Sequence, residues 1–121
     1  MSSNSNNNMH EQRDPSRSKN SEEVLGGVLG DIELSAGDTI SSFFAGKLTE
    51  VLAERAEQGK LKYGTYLTTF NGRDSIRDLN EELFDALFYL KQASLEGLIT
   101  KSTYIQMHDS LLQLLILADE G

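Results

Sequence analysis

The chain has 121 residues, a formal net charge of −8 and no cysteine. The acidic balance argues against nucleic acid and against an anionic membrane as partners, because both attract basic surfaces. The lack of cysteine excludes a disulfide framework, a thiolate metal site and a cysteine nucleophile. The sequence shows neither a signal-like apolar segment near its start nor a long apolar run, so we expect a cytoplasmic protein.

The first third of the chain divides into two segments. Residues 1–20 are almost entirely polar and bury too little apolar surface to offset their ordering entropy, which predicts a disordered polar tail. Residues 21–37 form a Gly-containing arm whose apolar spacing is compatible with a short helix or with a packed extended segment. Its glycines are not followed by Gly-Lys-Ser/Thr, which excludes a phosphate-binding P-loop.

A long helix is predicted to open the domain that we place at residues 38–121. Ser35 or Asp38 offers an N-cap, and the helix is expected to end near Gly59. Three acids, spaced at i, i+4 and i+7, lie nearly opposite its apolar stripe, an arrangement typical of a solvated face. These acids are Glu50, Glu54 and Glu57.

The segment that follows, residues 59–73, is predicted to be a loop because glycines punctuate it and Asn71-Gly72 favours a turn. It concentrates cations and aromatic rings in an otherwise acidic chain. The cations are Lys60, Lys62 and Arg73, and the aromatics are Tyr63, Tyr66 and Phe70. Cations suit phosphate oxygens and rings suit a stacked base. Alternatively, the lysines neutralise nearby glutamates and the rings fill the core.

A second acidic helix is predicted from its cap at Asp74 to Gln92. Asp78, Glu82 and Asp85 again stand at i, i+4 and i+7, here with apolar surface on both sides. Carboxylates that are crowded and partly withdrawn from water repel one another, and a hard divalent cation would compensate them. The alternatives are a solvated acidic face and, for Asp78, a role at the helix start.

The last predicted helix follows a stop at Glu96-Gly97 and runs from about Lys101 to Ala118. It is apolar nearly all round, and a domain this small cannot easily enclose such a helix. We therefore expect an all-α fold, a small helical bundle completed by oligomerisation as a homodimer or homotetramer. His108 on this helix is interpreted as a packing or surface residue.

Two acidic helices separated by a basic, aromatic loop resemble the MazG-like superfamily of all-α nucleoside triphosphate pyrophosphohydrolases. The family signature is an ExxE pair followed by ExxD. Here Glu54-Arg55-Ala56-Glu57 matches the first pair and Glu82-Leu83-Phe84-Asp85 the second. The runs Lys62-Tyr63-Gly64-Thr65 and Asn71-Gly72-Arg73-Asp74 between them look like small phage-encoded members, and the resemblance covers residues 40–96.

The resemblance implies an enzyme that uses Mg²⁺, or Mn²⁺, to release pyrophosphate from a (d)NTP or a modified nucleotide. The implied metal ligands and catalytic residues are Glu54, Glu57, Glu82 and Asp85, with one glutamate as the base. The implied substrate contacts are Lys60, Lys62 and Arg73 to phosphate, and Tyr63 or Tyr66 to the base. Two alternatives remain open: a non-catalytic nucleotide-binding or sequestering protein on the same scaffold, and a helical adaptor or assembly protein.

Overall fold

The computed structural model describes residues 22–121, so the tail predicted at residues 1–20 lies outside the described residues. The described chain forms four α-helices, which are α1 Val24–Ser35, α2 Ser42–Tyr63, α3 Ser75–Leu95 and α4 Lys101–Glu120. Within this part of the chain, extended pairing is confined to isolated bridges, Glu23 with Thr68 and Ala36 with Ile40. The prediction of an all-α fold is therefore confirmed.

The described residues divide into two compact units. Residues 22–73 contain α1, α2 and the loop that follows α2, and α1 packs against α2. Residues 74–121 contain α3 and α4, which pack against each other. Each unit is thus a helix pair, and one pair of candidate acids belongs to each.

The glycine-containing arm is a helix over Val24–Ser35. Three glycines lie within its twelve residues, and each costs about 1 kcal/mol relative to alanine in a helix. Packing against α2 therefore contributes much of the stability of α1. The chain leaves the helix through Gly37, whose φ of 81° is a left-handed conformation that glycine adopts without strain.

The long helix α2 starts later than predicted. Its N-cap is Ser41, whose hydroxyl accepts a hydrogen bond from the Phe44 N–H at 3.1 Å. The predicted caps Ser35 and Asp38 are wrong, because Ser35 is the last residue of α1 and Asp38 lies in the turn that follows it. The sequence pattern did not reveal that one helix ends at Ser35 and the next begins shortly afterwards at Ser42.

The same helix also ends later than predicted. It passes through Gly59 and stops at Gly64, which has a φ of 82° and whose N–H donates to the Lys60 carbonyl. One glycine inside a helix costs too little to end it, whereas a left-handed glycine reverses the chain. Lys60, Lys62 and Tyr63 therefore belong to the last turn of α2 rather than to a loop.

In the second unit, the predicted cap at Asp74 and the predicted stop at Glu96-Gly97 agree with the structure. Asp74 caps α3, and its Oδ1 accepts from the Arg77 N–H at 3.1 Å. The predicted stop is confirmed, with Glu96 as C-cap and Gly97 at a φ of 76°. Thr100 caps α4 by accepting from the Thr103 N–H at 3.1 Å.

Buried apolar residues are few in the described part of the chain. Ala45 on α2 and Leu90 on α3 are the buried hydrophobic side chains there, while Phe43 and Phe88 are 78% and 75% exposed. No residue of α4 is buried. Large apolar side chains thus remain on the surface of both units. Among residues 22–121, no helix has the length and apolar character that crossing a membrane requires.

Candidate functional site

The acids of the ExxE motif lie on the outer surface of α2. Glu54 and Glu57 are exposed and stand three residues apart, so their side chains share one face of the helix. Glu50 is exposed one turn earlier. The first predicted pair is therefore accessible to a cation and to a phosphate group.

The acids of the ExxD motif lie on α3. Glu82 is exposed and Asp85 is half-buried. The neighbouring Glu81 forms an i, i+4 ion pair with Arg77, with 3.8 Å between Oε2 and Nε. Glu81 is thus paired with Arg77 of the same helix. Of the two adjacent glutamates, Glu82 is therefore the one more available to a ligand.

Each helix contributes two carboxylates, and no group of three or more His, Asp or Glu side chains within residues 22–121 could hold a metal ion. Magnesium ions are usually bound by one or two protein carboxylates, and water and substrate phosphates complete the shell. A pair of acids on one helix therefore fits an exposed cation whose remaining ligands are water molecules or the phosphates of a nucleotide. It fits a permanently enclosed ion less well.

Three predicted site residues meet at the C-terminal end of α2. The hydroxyl of Tyr66 donates a hydrogen bond to Oε2 of Glu57. The ammonium nitrogen of Lys60 lies 4.7 Å from the centroid of the Tyr66 ring. The Tyr66 side chain thus contacts both a carboxylate and an ammonium group, which brings together residue types that suit a phosphate and a base.

The contact with Glu57 changes the acidity of Tyr66. Its pKa is raised above 10.0, first because the hydroxyl donates its proton to the Glu57 carboxylate, and then because partial burial disfavours the phenolate. The negative charges of Glu57 and Glu23 add to the effect. Tyr66 therefore remains a neutral hydrogen-bond donor throughout the physiological range.

Tyr63 has a similar neighbour. The Lys62 ammonium lies 5.2 Å from the Tyr63 ring centroid, and the side chain of Tyr63 is 39% exposed. A lysine therefore covers one face of each tyrosine that was predicted to stack on a base, which gives a cation–π contact. A base would use the opposite face, or the lysine would turn towards the phosphates.

The loop after α2 is tied to the residues that precede α1. The Val24 N–H donates to the Leu67 carbonyl at 3.0 Å, and the Thr69 N–H donates to the Glu22 carbonyl at 2.9 Å. The Glu22 N–H in turn donates to Oγ1 of Thr69 at 3.1 Å. This clasp, residues 22–24 paired with residues 67–69, was not predicted from the sequence. Local patterns carry no signal for a contact between residues 47 positions apart.

The predicted turn at Asn71-Gly72 is present. Oδ1 of Asn71 accepts from the Arg73 N–H at 3.0 Å, and Gly72 has a φ of 87°. Asn71 is buried and Arg73 is half-buried. The turn therefore fixes the end of the loop and the start of the chain segment leading to α3.

Phe70 is a feature of the loop that the set of predicted site residues omitted. It has a φ of 52° and is 63% exposed. A left-handed conformation costs a residue other than glycine about 1 kcal/mol or more, and such strain is concentrated at functional sites. The sequence signal was its position directly before Asn71-Gly72.

A second polar cluster lies between α3 and α4. The Lys91 ammonium is 4.8 Å from the Tyr104 ring centroid, and the Tyr104 and His108 rings stack with centroids 5.5 Å apart. Nδ1 of His108 is 3.7 Å from Oδ1 of Asp109. His108 thus makes packing contacts with its own helix, in agreement with its interpretation as a packing or surface residue.

A scan against protein-family models finds no match for this sequence, and comparisons with curated proteins and with solved structures find none either.

Proposed function

We propose that the protein is a Mg²⁺-dependent nucleoside triphosphate pyrophosphohydrolase of the MazG-like type. The observation that carries the proposal is the contact of Glu57, Lys60 and Tyr66 at the end of α2. Glu57 of the ExxE motif contacts Tyr66, whose ring would stack on a base, and Tyr66 contacts Lys60, which would bind a phosphate. The acid pairs of α2 and α3 supply the carboxylate chemistry.

In this proposal each acid pair is taken by itself as a set of carboxylate ligands for Mg²⁺. These ligands are Glu54 and Glu57 on α2, and Glu82 and Asp85 on α3. When bound, Mg²⁺ or Mn²⁺ would neutralise phosphate charge and make the α-phosphorus a better electrophile. The protein's task is to hold the triphosphate and the attacking water in line.

The reaction is a hydrolysis at the α-phosphorus. One glutamate accepts a proton from water, and the water oxygen bonds to the α-phosphorus. The bond from that phosphorus to the α–β bridging oxygen breaks, and pyrophosphate leaves. The products are a nucleoside monophosphate and pyrophosphate.

Substrate contacts come from the end of α2 and the loop that follows. Lys60, Lys62 and Arg73 bind phosphate oxygens, and Tyr63 or Tyr66 stacks on the base. Phe70 is added to this set because an exposed ring is held there in a strained conformation. The substrate class is a (d)NTP or a modified nucleotide.

We also propose that the chain associates as a homodimer or homotetramer. Leu114, Ile116 and Leu117 on α4 are exposed, as are Phe84 and Phe88 on α3. Apolar surface of this extent is a common sign of association. Sedimentation of the full chain tests this part of the proposal, and a monomer at working concentration contradicts it.

The function is tested with a panel of nucleotides, each incubated with the full-length protein and Mg²⁺ or Mn²⁺ and read by pyrophosphate release. Glu54→Gln and Asp85→Asn should abolish release. Glu50→Gln is the matched control, because it makes the same charge change one turn away on α2 and lies outside the motif. Absence of release with every nucleotide, or full activity of both variants, contradicts the proposal.

A second candidate is a nucleotide-binding protein without turnover. It is favoured by one observation, the contact of the Lys60 ammonium with the Tyr66 ring, which suits a phosphate and a base and involves no metal. Ligand at a hundred times its Kd would stabilise such a protein by about 2.7 kcal/mol. Thermal stabilisation by a nucleotide without pyrophosphate release selects this candidate.

A further inference from the structure

We propose that Tyr66 is a positioning residue for Glu57, in addition to any contact that its ring makes with a base. The hydroxyl of Tyr66 binds Oε2 of Glu57 and leaves Oε1 to face a cation. This inference rests on the proposed function, because it takes Glu57 as a metal ligand. It assigns to the Tyr66 hydroxyl a role that the ring alone cannot fill.

The backbone brings Tyr66 to Glu57 in a defined way. Gly64 ends α2 in a left-handed conformation and turns the chain back. Tyr66 then lies beside the helix that it has just left, nine residues after Glu57. The direction of the chain at Gly64 thus places the phenol next to the acid.

The clasp holds the loop from its other side. Leu67 directly follows Tyr66 and accepts the hydrogen bond from Val24, and Thr69 is bound to Glu22 through two further hydrogen bonds. Tyr66 is therefore placed by hydrogen bonds of its neighbours as well as by its own. Because its neighbours are held in this way, the Tyr66 hydroxyl can orient the carboxylate of Glu57.

Glu57 needs that support because it lies on an exposed helix face. A free glutamate side chain samples many rotamers, and ordering it costs conformational entropy. A hydrogen bond that is already present orders the carboxylate before the cation arrives. Outer-shell hydrogen bonds of this kind typically change metal affinity 10- to 100-fold, about the scale expected here.

A hydroxyl is well suited to this role. A lysine or arginine would orient the acid as well, but its positive charge would compete with the cation. Tyr66 is neutral, and the Lys60 ammonium lies over its ring at 4.7 Å. Glu57 thus gains orientation from Tyr66 while its negative charge is retained for the metal.

The test uses Mn²⁺ alone as the probe, bound to the full-length protein and followed by electron paramagnetic resonance. Tyr66→Phe keeps the ring and removes the hydroxyl, and it should weaken Mn²⁺ binding about 10- to 100-fold. Tyr89→Phe makes the same change at an exposed position on α3 and should leave the affinity unchanged. The thermal midpoint of each variant shows whether it is folded.

A double-mutant cycle separates positioning from a general structural effect. In a Glu57→Gln background, Tyr66→Phe should cause no further loss of Mn²⁺ affinity, because the residue through which it acts is already altered. An equal loss in both backgrounds shows that Tyr66 acts through the fold, and it overturns the inference.

The remaining outcomes distinguish the inference from the function on which it rests. If the wild-type protein binds Mn²⁺ and Tyr66→Phe binds it equally well, the inference is overturned and the proposed function stands. If the wild-type protein binds no Mn²⁺, the proposed metal site is overturned and the inference falls with it.

Discussion

The backbone N–H of Val24 donates to the carbonyl of Leu67 at 3.0 Å, and this bond joins the first residue of α1 to the loop that follows α2. The loop carries Tyr66 and Phe70, so its conformation depends on residues far earlier in the chain. The start of α1 therefore helps to set the conformation of the loop that carries Tyr66 and Phe70.

Val24→Pro should loosen this loop without breaking α1. Val24 is the first helical residue, where proline is tolerated, and Glu23 before it is extended, with φ −71° and ψ 137°. Proline removes the N–H that binds Leu67, a loss of about 1 kcal/mol. Hydrogen exchange at the Thr69 amide should then become about fivefold faster.

Val24→Ala is the matched control, because it shortens the side chain and keeps the N–H. Its Thr69 amide should exchange more slowly than that of the proline variant. Equal exchange rates in the two variants would show that the clasp does not depend on the Val24 hydrogen bond.

Tyr66 should ionise at higher pH than an ordinary tyrosine. Its pKa is raised above 10.0 mainly by the hydrogen bond to Glu57. The wild type and Tyr66→Phe are titrated by the near-ultraviolet absorbance of tyrosinate, and their difference reports Tyr66. A difference curve centred at or below the ordinary value contradicts the hydrogen bond.

The same shift predicts how stability depends on pH. A group whose pKa is raised in the folded state stabilises the protein fully below its unfolded pKa, and the contribution is lost as pH rises through the folded value. The stability difference between the wild type and Tyr66→Phe should therefore be constant at neutral pH and shrink above pH 10. A stability difference between the wild type and Tyr66→Phe that increases above pH 10 would contradict a raised pKa of Tyr66.

Phe70→Asn should stabilise the protein and weaken nucleotide binding. Asparagine tolerates the left-handed conformation at φ 52°, which should recover about 1 kcal/mol in urea unfolding. The exposed ring is lost at the same time. Phe70→Leu is the control, since it removes the ring but keeps the strain, and it should weaken binding without the gain in stability. Unchanged nucleotide affinity in both variants would remove Phe70 from the site.

Asp74→Ala should lower the stability of the α3–α4 unit by about 1 kcal/mol, because the N-cap bond to the Arg77 N–H is lost. Asp74→Asn can still accept this hydrogen bond and should cost only a fraction of that amount. Urea unfolding followed by circular dichroism gives both values. An alanine variant as stable as the asparagine variant would show that Arg77 finds another acceptor.

Several features were predictable because they depend on local chemistry. The all-α class, the Asp74 cap, the Gly97 stop and the Asn71-Gly72 turn follow from side-chain spacing and from the conformations that single residues allow. The N-cap of α2 was misplaced because Ser35, Asp38 and Ser41 are all good capping residues. Local sequence does not rank such candidates when two helices meet.

The sequence by itself determined the all-α class, which acids share a helix face, and where cations and aromatic rings are concentrated along the chain. The tertiary structure alone decided that Tyr66 binds Glu57, that Lys60 covers the Tyr66 ring, and that residues 22–24 clasp residues 67–69. The physical reason is that helix periodicity and capping act over a few residues. The contacts of Tyr66 and the clasp depend on where Gly64 turns the chain and on how α1 packs against α2.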